Sequence, residues 1–268
     1  MTWLFASFVF AIGAMIGSFL NVVIHRYPRE ESVVFPPSRC PHCAAHIKPY
    51  DNVPIVAWLW LRGKCRACRG PIDARYPLVE LANALFYLAL FQRTGLTIGF
   101  IPLAALVSMT IVLIYIDLEI QILPDVIDLP GVALGLVIGA THLGALYPDL
   151  LLSRTLLESV AGAAAGAGGL LAIALTYKLL RKIEGMGLGD VKMMAMLGAV
   201  LGWEPLLPLL VVASLTGAIV GVFVAWKSSR GMQVALPFGV FLGLAFLLML
   251  FFGHQLYALW VSLLLMPQ

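Results

Sequence analysis

Charge is scarce in this sequence. Asp, Glu, Lys and Arg make up 12% of its 268 residues, about half of the ~25% carried by a soluble domain. That scarcity excludes a soluble globular domain, and equally a disordered chain, which stays open through abundant charge. Cysteine is scarce too. The four residues all fall between positions 40 and 68, which does not fit a secreted scaffold stapled by disulfides. No Lys or Arg precedes Arg26, so the first apolar run lacks the basic start of a secretory signal peptide. The net charge of +3 leaves no broad basic field for nucleic acid. There is no internal repeat, and low complexity is confined to the Ala/Gly run at 161–170.

What is abundant is apolar surface. Of the 268 residues 61% are apolar, about 163, and mean hydropathy is +0.97. At ~20 residues per crossing this suffices for about eight membrane spans. Apolar runs lie at 3–24, 78–92, 97–116, 126–146, 156–178, 191–202, 206–226 and 235–252. The run at 191–202 is short for a crossing, and a last apolar tail at 255–266 reads as interfacial. The predicted fold is therefore all-α: a polytopic integral membrane protein of about eight transmembrane helices. It divides into a first membrane helix (1–24), a polar loop (25–77) and a membrane core (78–268). The first run reads as a retained helix with its N-terminus outside.

Orientation follows from Lys and Arg. The loop holds nine: Arg26, Arg29, Arg39, Lys48, Arg62, Lys64, Arg66, Arg69 and Arg75. Alternate threading puts Lys178, Arg181, Lys182, Lys192, Lys227 and Arg230 on the same side, fifteen of seventeen in all, with Arg93 and Arg154 opposite. The loop is thus expected in the cytoplasm. Glycine pairs four apart (Gly135/Gly139, Gly162/Gly166, Gly217/Gly221, Gly239/Gly243) read as helix-packing positions with no chemistry.

The loop carries Cys40-x2-Cys43 and Cys65-x2-Cys68, with 21 residues between the pairs. Two such knuckles place four thiolates at the corners of a tetrahedron, the closed structural zinc arrangement. A cytoplasmic setting disfavours disulfides, and no thioredoxin-like pattern surrounds the pairs. His42 and His46 stand beside the first knuckle, able to replace a Cys but read as bystanders. A loop this polar needs such a staple to hold a shape.

Acidic residues near membrane spans are costly and tend to be functional. Asp117, in IDLEIQILPD, falls at the inner end of the third span. Asp190, in GMGLGDVK, falls at the inner start of the sixth. Both lie at one membrane face. Two carboxylates sharing a site share a proton, so one can activate water while the other polarises a carbonyl. Gly185, Gly187 and Gly189 would let an extended substrate backbone approach Asp190. Asp190 fits equally as a helix cap. Asp125, after Pro124, reads as a cap or turn residue. Asp128 and Glu119 read as interfacial, and Glu184 pairs with Lys182 or faces water. Composition alone does not select the pair.

These segments resemble the prepilin peptidases, or type IV leader peptidases. The resemblance rests on GSFLNVVIHRYP (17–28), RCPHC (39–43), DNVPIVAWLWLRGKCRAC (51–68), PIDARYPLVE (71–80), IDLEIQILPD (116–125) and GMGLGDVKMMAMLGA (185–199). It implies a multi-pass aspartic endopeptidase of the cell inner membrane, with its active site at the cytoplasmic face. The catalytic pair it implies is Asp117 and Asp190, and the metal ligands are Cys40, Cys43, Cys65 and Cys68, holding structural Zn2+. The implied substrates are type IV prepilins and type II secretion pseudopilins, cut after a short basic leader. By resemblance only, the new N-terminus is methylated with S-adenosyl-L-methionine. No G-x-G-x-x-G follows a strand here, so the residues that hold this cofactor are unknown. The loop and its flanking helices are the expected place. Membrane lipid is a partner and nucleic acid is not.

Other polar residues carry less. Glu30 and Glu31 could draw a basic leader but read as charges offsetting Arg26 and Arg29. Asn21 and His25 cap the first helix or touch the loop. Lys192 either favours ionised Asp190 or reaches to the interface. Trp58, Trp60 and Trp203 read as interfacial aromatics, and His142 and His254 as packing or interface residues. Two rival functions remain: a methyltransferase without protease action, which two intact acids oppose, and a proton or cation transporter, whose acids would sit near the midplane.

Overall fold

The computed structural model describes residues 2–150, 152–182, 186–227 and 236–264. Glu184, Gly185, Arg230 and the ends of the last two apolar runs (235 and 265–266) lie outside the described residues. The fold is all-helical, 74% helix with no strand among the described residues. In chain order the helices are α1 (Thr2–Arg26), α2 (Val56–Trp60), α3 (Arg75–Thr94), α4 (Phe100–Ile120), α5 (Asp125–Ala140), α6 (Leu143–Leu146), α7 (Leu156–Arg181), α8 (Leu188–Leu201), α9 (Leu206–Lys227) and α10 (Phe238–Leu264). Each predicted apolar run is largely helical, but 126–146 is split at Thr141 and His142 into α5 and α6. Five helices (α1, α4, α7, α9 and α10) are long and apolar enough to cross a membrane. By contrast α5 and α8 have 16 and 14 residues, about 24 and 21 Å at 1.5 Å per residue, against ~30 Å of hydrocarbon. The run 235–252 and the tail predicted to be interfacial join in one helix, α10, which continues through Gly253 and His254.

Apolar side chains face outward along whole stretches of these helices, among them Leu179, Leu180, Ile219, Val222 and Trp226. Lipid tolerates that arrangement and water does not. The chain divides into two compact units, Met1–Val112 and Leu113–Gln268, with the division inside α4.

In the first unit α1 and α3 pack backbone to backbone. A Cβ on Gly13 would lie 2.8 Å from Ala84 Cα, and one on Gly17 2.7 Å from Glu80 Cα. Close helix approach in membranes uses small residues in this way. A buried polar network ties the helices: Asn83 Nδ2 donates to Gly13 O (2.7 Å), Ser108 Oγ donates to Asn83 Oδ1 (2.9 Å), and Tyr87 OH lies 3.0 Å from Ser108 Oγ.

In the second unit the predicted glycine pairs do pack helices. Gly162 faces Gly198, and a Cβ on Gly135 would lie 2.7 Å from Ala199 Cβ. Ser153 and Ser159 close this interface, Oγ to Oγ at 2.6 Å, with Ser159 donating to Gly135 O.

Candidate active site and metal centre

Asp117 sits one turn from the C-terminal end of α4, where it is 4% exposed. Its Oδ2 accepts the N–H of Val240 at 3.0 Å. Val240 belongs to the first turn of α10, whose N–H groups have no partners within their own helix. The carboxylate therefore closes the N-terminus of another helix, and those donors fix its orientation. Gly239 is necessary to this fit: a Cβ there would lie 2.8 Å from Asp117 Oδ2. Read from the sequence as a packing residue, Gly239 instead lines the acid.

Asp190 lies in the first turn of α8 and is half-buried. The N-cap position is taken by Gly187, without a side-chain hydrogen bond, so Asp190 is not the capping residue. Leu123 connects the two acids. A Cβ on Gly189 would meet Leu123 Cβ at 2.9 Å, and one on Gly239 would meet Leu123 Cδ1 at 2.9 Å. The residue before Asp190 and the residue against Asp117 thus share one neighbour, and the charge of Asp117 acts on Asp190. Among the described residues, a Cβ on Gly187 would meet nothing closer than Gly189 N at 3.9 Å.

A third acid stands here that the sequence analysis placed at the membrane interface. Asp128 is 0% exposed, and among the described residues neither carboxylate oxygen has a hydrogen-bond partner. The reason is register. Gly131 faces Met196 and Gly135 faces Ala199, so α5 and α8 run in the same direction. Asp128, one turn earlier in α5, therefore opposes the first turns of α8 and feels the charges of Asp125, Lys192 and Asp190. The spacing 128–131–135–139 is a helix stripe that could have revealed this burial. Lys192 does not turn to Asp190: its Nζ holds Asp125 at 2.6 and 2.8 Å on the surface.

The cysteine loop folds as two copies of one turn. Cys40 N–H donates to Ala45 O (2.9 Å) and Ala44 N–H to Cys40 O (2.9 Å). In the second copy Cys65 N–H donates to Gly70 O (2.8 Å) and Arg69 N–H to Cys65 O (2.9 Å). Ala44 and Arg69, each four residues after its cysteine, are left-handed at φ 55° and 62°. Single bridges, Arg39 to His46 and Lys64 to Pro71, close the turns.

The four sulfurs lie within 4.8 Å of one another, Cys40 and Cys68 at 3.8 Å. A tetrahedron with metal–sulfur bonds of ~2.3 Å has its corners ~3.8 Å apart, so the four thiols can hold one metal ion. The N–H groups of Cys68 and Ala67 pull the Cys65 thiol down to about 6. Cys68 accepts the Gly70 N–H, yet the neighbouring Cys43, Cys65 and Cys40 push it up to about 11. Thiols this crowded shed all their protons only around a cation. His42 packs on Gly70, within 2.8 Å of where its Cβ would be, and the sulfur cluster has no histidine member.

Two further ties shape the loop. Arg66 forms a bidentate pair with Asp51, at 2.6–3.0 Å, and holds that carboxyl below its usual range. Arg26 donates to Ser32 O and Pro36 O. Glu30 and Glu31 are exposed. Trp60 and Trp203 are exposed, as expected of interfacial aromatics, whereas Trp58 is half-buried and donates to Ile72 O. His142 donates to Arg154 O at 2.8 Å.

Comparison with known proteins bears on this arrangement. The profile described as Bacterial Peptidase A24 N-terminal domain matches residues 11–94, and that of the Type IV leader peptidase family matches residues 104–222. A prepilin leader peptidase/N-methyltransferase of Aeromonas hydrophila is 37% identical over 284 residues, covering 96% of this chain and 93% of that protein. One of Burkholderia pseudomallei is 37% identical, covering 94% and 87%. One of Pseudomonas aeruginosa is 35% identical, covering 91% and 89%. No solved structure matches.

Proposed function

Because the chain belongs to the type IV leader peptidase family, we propose that it is an aspartic endopeptidase whose catalytic pair is Asp117 and Asp190. The observation that supports this reading is that Leu123 lies against both Gly189, next to Asp190, and Gly239, which lines Asp117, with Asp117 oriented by the first turn of α10. One acid, ionised, takes a proton from water. The other, protonated, polarises the scissile carbonyl and later protonates the leaving amine. There is no covalent intermediate.

The substrates are prepilins, as in the relatives' names, and pseudopilins of type II secretion. Their leaders are cut at the cytoplasmic face of the inner membrane. In this reading the chain crosses the membrane about eight times, α5 and α8 being its shortest crossings. Residues 1–24 are the first crossing, 25–77 the cytoplasmic loop and 78–268 the peptidase core. Cys40, Cys43, Cys65 and Cys68 hold structural Zn2+, which the doubled turn supports. A closed shell of four sulfurs leaves no position for substrate.

The exposed α-amine is then methylated. Its nitrogen lone pair forms the new N–C bond as the donor's C–S bond breaks, sulfur keeps that electron pair, and the amine releases one proton. S-adenosyl-L-methionine supplies the methyl group. The loop and its flanking helices are its expected site.

The test uses purified protein and a full-length prepilin in detergent. Leader loss should persist in EDTA and vanish in Asp117→Asn and in Asp190→Asn. Cleavage by either variant at the parental rate would overturn the pair. Methyl transfer without cleavage would make the chain a methyltransferase alone.

A further inference from the structure

The first unit contains a cavity of about 510 Å³ between the end of α1, the start of α3 and the cysteine loop. That volume is in the range of cofactor sites, ~300–1,000 Å³. The peptidase chemistry, which lies wholly in the second unit, makes no use of it.

Its wall carries polar atoms without partners. Asn21 is 5% exposed. Its Nδ2 donates to Tyr76 O at 3.0 Å, while its Oδ1 is buried and has no partner. His25, one turn further along the same face of α1, likewise has a buried Nδ1 without a partner. Desolvating such atoms costs about 1–3 kcal/mol each when nothing replaces water. Both residues line the cavity, so a ligand there can satisfy them.

The third polar group is Glu80, 8% exposed in α3. Its Oε2 accepts the N–H of Ile55 at 2.7 Å. Ile55 has φ 63°, a conformation that a β-branched residue adopts only under constraint, and such constraint collects at ligand clamps. The carboxyl group thus holds a strained piece of loop against the cavity and brings an acidic group to its wall. Trp58, fixed by its hydrogen bond to Ile72 O, and Tyr76 add aromatic surface.

Arg26, Arg39, Lys48 and Arg66 also line the cavity, so with Glu80, the unpaired Asn21 oxygen and the aromatic faces it suits a ligand that carries a carboxylate, a cationic centre and a flat heterocycle. We propose that this cavity is the methyl-donor site, binding the sulfonium and adenine of S-adenosyl-L-methionine, with Asn21, His25 and Glu80 as its polar contacts. The assignment rests on the methyl-transfer reading above and gives it a location.

The test uses the full-length, zinc-loaded protein in detergent. Binding of S-adenosyl-L-methionine is titrated by calorimetry, and the radiolabelled donor is crosslinked by ultraviolet light and mapped by mass spectrometry. Glu80→Gln removes the charge while keeping an acceptor for the Ile55 N–H; Asn21→Leu removes the free acceptor. Each is expected to weaken binding at least tenfold while prepilin cleavage stays within threefold of the parent, and the crosslink is expected within residues 18–80. A parent chain that binds and methylates but crosslinks outside 18–80, with both variants binding normally, overturns the cavity and leaves the methyl-transfer reading standing. A parent chain that neither binds the donor nor methylates overturns both. If a variant fails to fold, shown by lost cleavage, the crosslink map of the parent decides alone.

Discussion

The two units satisfy their buried polar groups in opposite ways. In the first, Asn83, Ser108, Tyr87 and the Gly13 carbonyl bond to one another. The groups left over, Asn21 Oδ1 and His25 Nδ1, face a cavity. In the second, the buried polar groups near the site are acids. Asp117 takes its donor from a helix end, and Asp128 has none. The contrast separates two tasks. Under the proposal above, unpaired polar atoms beside one acidic group make a place to hold a ligand. Crowded acids, which cannot all ionise together, form a place to move protons. Both units use close helix packing, but the loop of the first, where apolar burial is thin, is drawn together by four thiols that can hold one metal ion.

The most severe break is in the acids. Asp117→Asn or Asp190→Asn should lower leader cleavage by about 10³-fold or more, followed by mass spectrometry of the prepilin. Donor binding should stay within twofold, because it belongs to the other unit. Gly239→Ala comes next. Its Cβ must displace the Asp117 carboxylate, and a misplacement of about 1 Å can cost ~10²-fold. Cleavage should fall by that order while circular dichroism stays unchanged. Cys43→Ser combined with Cys68→Ser should abolish the one metal ion per chain expected by elemental analysis. Methyl transfer should then fall by about tenfold or more, with cleavage reduced less.

Smaller effects sharpen the comparison. Asp128→Leu removes a buried carboxylate without partners. It should stabilise the protein by about 1–3 kcal/mol, read as a higher thermal midpoint, with cleavage changed by less than tenfold. Arg66→Gln breaks the surface pair with Asp51 and should change stability little. A metal-release assay in competing chelator should detect it as slightly faster loss.

Local signals were legible in the sequence. Most apolar runs became single helices, although 126–146 breaks at Thr141 and His142 into α5 and α6, and the two CxxC motifs formed one sulfur cluster. What escaped depends on partners distant in the chain. Gly239 meets Asp117 across 122 positions. Asp128 is buried because α5 runs alongside α8, and no local pattern states that register. The cavity depends on where a loop of some fifty residues folds back against α1 and α3. Trp58 read as an interfacial aromatic for the same reason: its neighbours come from Ile72 and Gly63. The last helix was misjudged in length because Gly253 and His254 break the apolar run but not the backbone hydrogen bonds.

The closing of α10 by Asp117 has a consequence for shortened versions of the protein. A fragment ending after α9 would retain both acids and all of the family-matched stretch at 104–222, but the amide that steers Asp117 would be gone. Such a truncation should yield a well-made bundle with an idle blade, and supplying residues 236–264 as a separate peptide should restore its edge.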